Sequence, residues 1–144
     1  MFLGTVENLT AQAAWDLLNS DPDAQLIDVR TRAEWTFVGI PDLAGVRRQP
    51  ILVEWQVFPS MEVTPGFTAV LDQALLEKGV PENAPLLFLC RSGGRSMAAA
   101  QAMAGHRAGR LVNISDGFEG PTDAEGHRGA VAGWKASGLP WRQG

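Results

Sequence analysis

Leu86-Leu87-Phe88-Leu89-Cys90-Arg91-Ser92-Gly93-Gly94-Arg95-Ser96 is the stretch on which the architecture turns. Its first five residues follow Pro85 and are apolar without interruption, which is the length and pattern of a strand buried on both faces. Arg91 to Arg95 then form a tight turn around two glycines. Ser96 to Arg107 is rich in alanine and methionine, with Gly105 and Gly109 near its end, and predicts a helix. A buried strand that runs through a short turn into a helix is half of a crossover unit, and crossover units build parallel sheets.

The flanking sequence repeats this alternation. Thr10 caps a helix whose Ala14, Leu17 and Leu18 share one face and which Asp21-Pro22 closes. Ala24 to Val29 reads as a buried strand with Asp28 near its C-terminal end, and Thr31-Arg32-Ala33-Glu34 spells a capping box for a new helical turn. Val38 to Ser60 is broken by Pro41, Pro50 and Pro59 and reads as loop with a short strand near Val46. Thr64 as cap and Pro65 as first helical residue open a helix with Phe67, Val70, Leu71, Ala74 and Leu75 on one face and Gly79 as its stop. Leu111 to Ile114 is another short strand.

These elements predict an α/β fold: a doubly wound, mainly parallel sheet with helices on both faces. Residues 1–144 are expected to form one domain, with 115–144 a glycine- and tryptophan-containing C-terminal extension packed on it. Ligands of such sheets bind beyond the carboxyl ends of the strands, where Asp28 and Cys90 are both expected.

A composition of 45% hydrophobic and 19% charged residues is that of a folded globular chain. The net charge of −4 argues against nucleic acid and anionic membrane as partners. No window is apolar for the 18 or so residues a membrane span needs, and MFLGTVENLT lacks the pattern of a secretory signal, so a cytoplasmic location is expected. His106, His127 and Cys90 are too widely spaced for a zinc site. The one cysteine cannot form an internal disulfide and is either an inert core residue or a working thiol.

The residues after Cys90 favour the working thiol. A helix N-terminus offers unpaired N–H groups and partial positive charge, Arg91 and Arg95 add two cations, and Gly93 and Gly94 let the backbone curl round an anion. Each effect favours the thiolate, which is the nucleophile. The same cradle suits the terminal charge of a persulfide.

Cys90-X4-Arg95 between a strand and a helix resembles the active-site loop of the rhodanese family. Asp28-Val29-Arg30 followed by Glu34-Trp35 resembles that family's first signature. Gly39-Ile40-Pro41 is similar to its Gly-His-Ile-Pro-Gly segment, with the histidine absent and Asp42 in place of the second glycine. Gly117-Phe118-Glu119-Gly120, Gly133-Trp134 and Gly138-Leu139-Pro140-Trp141 are similar to the end of single-domain rhodaneses, so the likeness runs through almost the whole chain.

The resemblance implies a sulfurtransferase that works without metal or organic cofactor. Cys90 would take a sulfane sulfur from thiosulfate or another small anionic donor, and pass it to cyanide, a thiol or a sulfur-acceptor protein. Backbone N–H groups from Arg91 to Ser96 would hold that sulfur. Arg95 is expected to orient or neutralise the loop, and Arg91 either faces the donor's sulfonate or is simply solvated. Asp28 is expected to fix geometry, for instance by pairing with Arg30. Trp35 either lines the pocket or packs in the core. One rival reading is a phosphatase or arsenate reductase of the same architecture, but those enzymes use Cys-X5-Arg, a larger cradle suited to a tetrahedral oxyanion. The other is a non-catalytic relay module that delivers its persulfide to one partner.

Overall fold

The computed structural model describes residues 5–143, so residues 1–4 and 144 of the expected span lie outside the described residues. The order of elements is β1 (Val6–Leu9), α1 (Ala11–Ser20), β2 (Gln25–Asp28), α2 (Arg32–Phe37), β3 (Ile40–Pro41), β4 (Ile51–Leu52), β5 (Gln56–Val57), β6 (Glu62–Val63), α3 (Phe67–Glu77), β7 (Leu86–Leu89), α4 (Gly94–Ala102), β8 (Leu111–Ile114) and β9 (Trp141–Arg142). Five strands form a parallel sheet in the order β1-β8-β7-β2-β4, while β3 with β9 and β5 with β6 make small antiparallel pairs. No helix among the described residues is long and apolar enough to cross a membrane.

The strand period of two divides the core. In β7, Leu87 and Leu89 join α1's Ala11, Ala14 and Leu18 on one face, while Leu86, Phe88 and Cys90 join α3's Phe67, Leu71 and Leu75 and α4's Ala99 and Ala100 on the other. Right-handed crossovers require this arrangement, because the chain crosses the sheet one way through α1 and returns through α3 and α4. The reversal falls between β2 and β7, and their C-terminal ends are therefore the crevice of the fold. The segment after β8 also feeds the α1 face: Phe118, Trp134 and Leu139 are buried there, Trp134 edge-on to Trp15 at 5.8 Å. Asp116 ties that segment to α1 by accepting the Ala11 N–H at 2.8 Å.

Several local expectations are corrected. Val46 lies in a 3-10 turn, and the strand of that region is Ile51–Leu52, where buried Ile51 can pair with Ile27 of β2. Thr64 does not cap α3, because its hydroxyl donates to the Glu54 carbonyl at 2.7 Å. Gly66, in the left-handed conformation, takes the cap, so the helix starts after Pro65. α4 begins at Gly94, two residues before the expected start, and ends at Ala102, where Met103 is the C-cap. β1 pairs with β8 although its Val-Glu-Asn-Leu pattern gives no continuous apolar run.

Candidate active site

Cys90 directly follows β7, beside the end of β2, where the Val29 N–H donates to the Leu89 carbonyl at 2.9 Å. The turn after it is shorter than the sequence predicts, only Arg91 to Gly93, so the first turn of α4 lies against the cysteine. Gly93 makes this possible: its φ is +106°, and a Cβ there would strike the Ser115 carbonyl. Gly117, at φ +70°, lets the neighbouring chain clasp the turn. Phe118 N–H donates to the Cys90 carbonyl at 2.8 Å, and the N–H groups of Glu119 and Gly120 both donate to the Arg91 carbonyl at 3.0 Å.

Cys90 itself is 1% exposed. Its Sγ accepts the Gly93 N–H at 3.1 Å and lies 3.2 Å from Ser96 Oγ. The N–H groups at the start of α4 have no partner within the helix and carry its positive end. Of the predicted loop residues, Gly93 and Ser96 are buried against the thiol, Arg95 is half-buried, and Arg91, Ser92 and Gly94 are exposed.

Arg95 turns to Glu34 of α2, giving its Nη1 and Nη2 to the two carboxylate oxygens at 2.6 and 3.0 Å. Burial alone would raise the Glu34 carboxyl, but the bonds and charge of Arg95 outweigh it and hold Glu34 below its ordinary value. For Arg95, burial pulls the guanidinium down, yet Glu34, with Cys90 and Asp28 contributing charge, leaves it raised. Glu34 also closes the capping box of α2 with Thr31.

Asp28 and Arg30 are wholly enclosed. Arg30 donates Nε and Nη2 to the carboxylate at 2.9 and 2.6 Å and Nη2 also to the Gly39 carbonyl at 2.7 Å, and its guanidinium lies 4.2 Å above the Phe118 ring. The pair thus supports the segment that clasps the Cys90 turn, with no hydrogen bond to the turn itself.

A cleft of about 530 Å³ opens over the loop, lined by the charged Arg91, Arg95, Arg128 and Glu119 and by the apolar Phe37, Val38, Phe58 and Met61. Trp35 is not among the residues that line it. Ala33, Glu34 and Phe37 of α2 and its C-cap Val38 form the cleft-facing stripe, and Trp35 falls off it. His106 and His127 are exposed and lie outside the cleft lining.

Arg128, Phe58, Met61, Phe37 and Asn113 are residues of the site that escaped sequence reasoning. Arg128, Phe58 and Met61 come from irregular segments that carry no pattern. Asn113 did carry a signal: it is a polar residue in an otherwise apolar buried strand, one strand over from Cys90.

Residues 6–144 match the family model of the STR4 middle domain. An uncharacterised protein of Rickettsia conorii is 36% identical over 138 residues, covering 96% of this chain and 98% of its own. The chloroplastic rhodanese-like domain-containing protein 4 of Arabidopsis thaliana is 31% identical over 132 residues, 92% of this chain but 25% of that longer protein. The crystal structure of Rv0390 from M. tuberculosis superposes with a TM-score of 0.82 at 45% identity, covering 96% and 98% of the two chains. The fold is rhodanese-like.

Proposed function

The chain belongs to the STR4 middle-domain family, and on that premise we propose that it is a sulfurtransferase of the rhodanese type, working through a persulfide on Cys90. The observation that carries this reading is the seat of the thiol, with Sγ held by the Gly93 N–H at the positive end of α4, and Arg95 five positions along the chain. The Cys90 thiolate attacks the outer sulfur of thiosulfate, or of a persulfide donor. A bond forms between Sγ and that sulfur, the bond from it to the donor's inner sulfur breaks, and the electron pair leaves on sulfite, or on the donor's thiolate where the donor is a persulfide. The outer sulfur now carries the negative charge, facing the N–H groups of the loop. Cyanide or a thiol then takes that sulfur, and the cysteine returns to the thiolate.

Two features weigh against phosphate or arsenate chemistry. Arg95 has committed Nη1 and Nη2 to Glu34, and a cysteine that is 1% exposed admits a slender terminal sulfur more readily than a tetrahedral oxyanion. Arg91 and Arg128 are the cleft cations outside that ion pair and are the candidates to meet the donor's sulfonate.

A second reading, delivery of the persulfide to a partner protein, is favoured by one observation. Phe37 and Phe58 are 78% and 62% exposed on the cleft's rim, more apolar surface than a small anion can use. A reducing compartment such as the cytoplasm suits a thiol that must stay free. We take residues 1–144 as one domain whose 115–144 extension completes the site.

Intact-protein mass spectrometry tests the main reading. Incubation with thiosulfate is expected to add one sulfur to the wild type and none to Cys90→Ser, and cyanide should remove it as thiocyanate. Repeated turnover with cyanide marks the catalyst, whereas one loading that discharges fast only to a protein thiol marks the relay. A wild type that takes no sulfur from thiosulfate or a persulfide donor sinks both.

A further inference from the structure

Asn113 is 3% exposed and, in phase with Leu111, faces α4. Its Nδ2 donates to the Gly93 carbonyl at 3.2 Å and to Asn8 Oδ1 at 3.1 Å, and its Oδ1 lies 2.5 Å from Ser96 Oγ. The Gly93 carbonyl can only accept, so the amide nitrogen must face it and the orientation of the whole amide is set. Oδ1 also can only accept, and Ser96 owns a single hydroxyl proton. The contact to Asn113 is the shorter of the two that Ser96 Oγ makes, so that proton goes to the amide while Cys90 carries its own. In that arrangement Ser96 Oγ accepts from the Cys90 thiol, whereas with the hydroxyl turned the other way it donates to Sγ, 3.2 Å away. The row from S–H to Oγ–H to the Asn113 carbonyl is the hydrogen-bond pattern that suits the protonated thiol.

We propose that Asn113 is a positioning residue that governs the ionisation of Cys90 by competing with its thiolate for the Ser96 proton. On ionisation, the thiol proton passes to water or to the incoming anion, and the Ser96 hydroxyl turns from Asn113 to the thiolate in a charge-assisted bond. The Asn113 carbonyl is left buried without a partner, which opposes the change. The loading step rests on the sulfur-transfer reading. Once Sγ has bonded to the transferred sulfur and sulfite has left with the electron pair, the negative charge sits on the outer atom and Sγ is a poor acceptor. Ser96 returns its proton to Asn113. The amide thus favours thiol and persulfide over bare thiolate, which protects the resting cysteine and draws loading forward. The charges around the thiol are Arg95 with Glu34 of α2, the Asp28–Arg30 pair at the end of β2, and Arg91 on the turn, and a substitution at Asn113 leaves all of them in place.

The test is the pH profile of Cys90 alkylation by iodoacetamide, which reads the one cysteine of the chain and needs no sulfur transfer. Asn113→Leu is expected to move the profile to lower pH by about one unit, a tenfold gain in thiolate below the midpoint. Ser96→Ala is expected to move it to higher pH. In the Ser96→Ala background, Asn113→Leu should move nothing further, because Asn113 acts only through that hydroxyl. If Asn113→Leu does not fold by circular dichroism, Asn113→Ser, too short to bridge Gly93 and Ser96 together, carries the same cycle. An unmoved or upward-moving profile in the Asn113 variant overturns the proposal, and so does an equal shift in the Ser96→Ala background, which marks a role through Gly93 alone. Failure of the wild type to take sulfur would remove the sulfurtransferase reading and leave this result standing.

Discussion

Two carboxylate–arginine pairs flank Cys90 and are built in opposite ways. Asp28 and Arg30 are two residues apart in sequence, completely enclosed, and further tied to Gly39 and the face of Phe118. Glu34 and Arg95 are 61 residues apart, join α2 to the first turn of α4, and keep 19% and 18% of their side chains in contact with solvent. The first pair has no water to fall back on, so each member exists on condition that the other is present. Solvent can compensate the second in part, and its charge can be adjusted without dismantling the fold. Burial, more than distance or geometry, decides whether an ion pair near a nucleophile is scaffold or tuning.

The largest effect should come from breaking the enclosed pair. Arg30→Ala strands the Asp28 carboxylate in the interior and is expected to lower stability by about 3–5 kcal/mol, read from urea unfolding. Arg30→Met combined with Asp28→Leu removes both charges and should cost less than Arg30→Ala alone. A double variant as unstable as the single one would mean that the hydrogen bond to Gly39, not the charge, is what the fold requires.

A smaller, pH-dependent effect belongs to the second pair. Glu34→Gln keeps the capping-box reach of Oε1 to Thr31 and removes the charge together with the Oε2 acceptor of Arg95 Nη2. Because the folded-state value of Glu34 is depressed, its contribution is fully present above the ordinary carboxylate value of 4.5 and is lost as pH falls through the folded value. The wild type should therefore exceed the variant by about 1–2 kcal/mol at pH 7, and the gap should close as pH falls below 4.5. A gap that does not change with pH would assign the effect to the cap.

The same contrast explains what could be read before the fold was known. Leu86 to Ser96 was legible because a strand buried on both faces leaves an unbroken apolar run, and because a turn with two arginines and two glycines has few uses besides holding an anion. Asp28 beside Arg30 was legible as a pair because the two are sequence neighbours. Glu34 with Arg95 was not, since a contact across 61 residues depends on the packing of α2 against the start of α4. Between Val38 and Val63 the strands are two residues long, shorter than any period can declare, and pairing partners alone define them. Asn113 hides inside a strand whose other residues are apolar, although one amide in Leu-Val-Asn-Ile has to find partners on whichever helix covers it.

The smallest effect on stability, and the one that separates charge for function from charge for structure, is expected at Arg91. Its side chain is exposed and belongs to neither ion pair, so Arg91→Ala should change stability by no more than about 0.5 kcal/mol. An exposed cation a few ångströms from the single charge of a docked sulfonate is worth about 1 kcal/mol in a water-like medium, about fivefold in rate. Thiosulfate loading of Cys90, tracked by mass, should slow by about that factor in the variant, and added salt should slow the wild type more than the variant because screening removes an attraction the variant lacks. If the two proteins load at the same rate and respond alike to salt, Arg91 is a solvated side chain, and Arg128, the other cleft cation outside the ion pairs, becomes the cation left to receive the sulfonate.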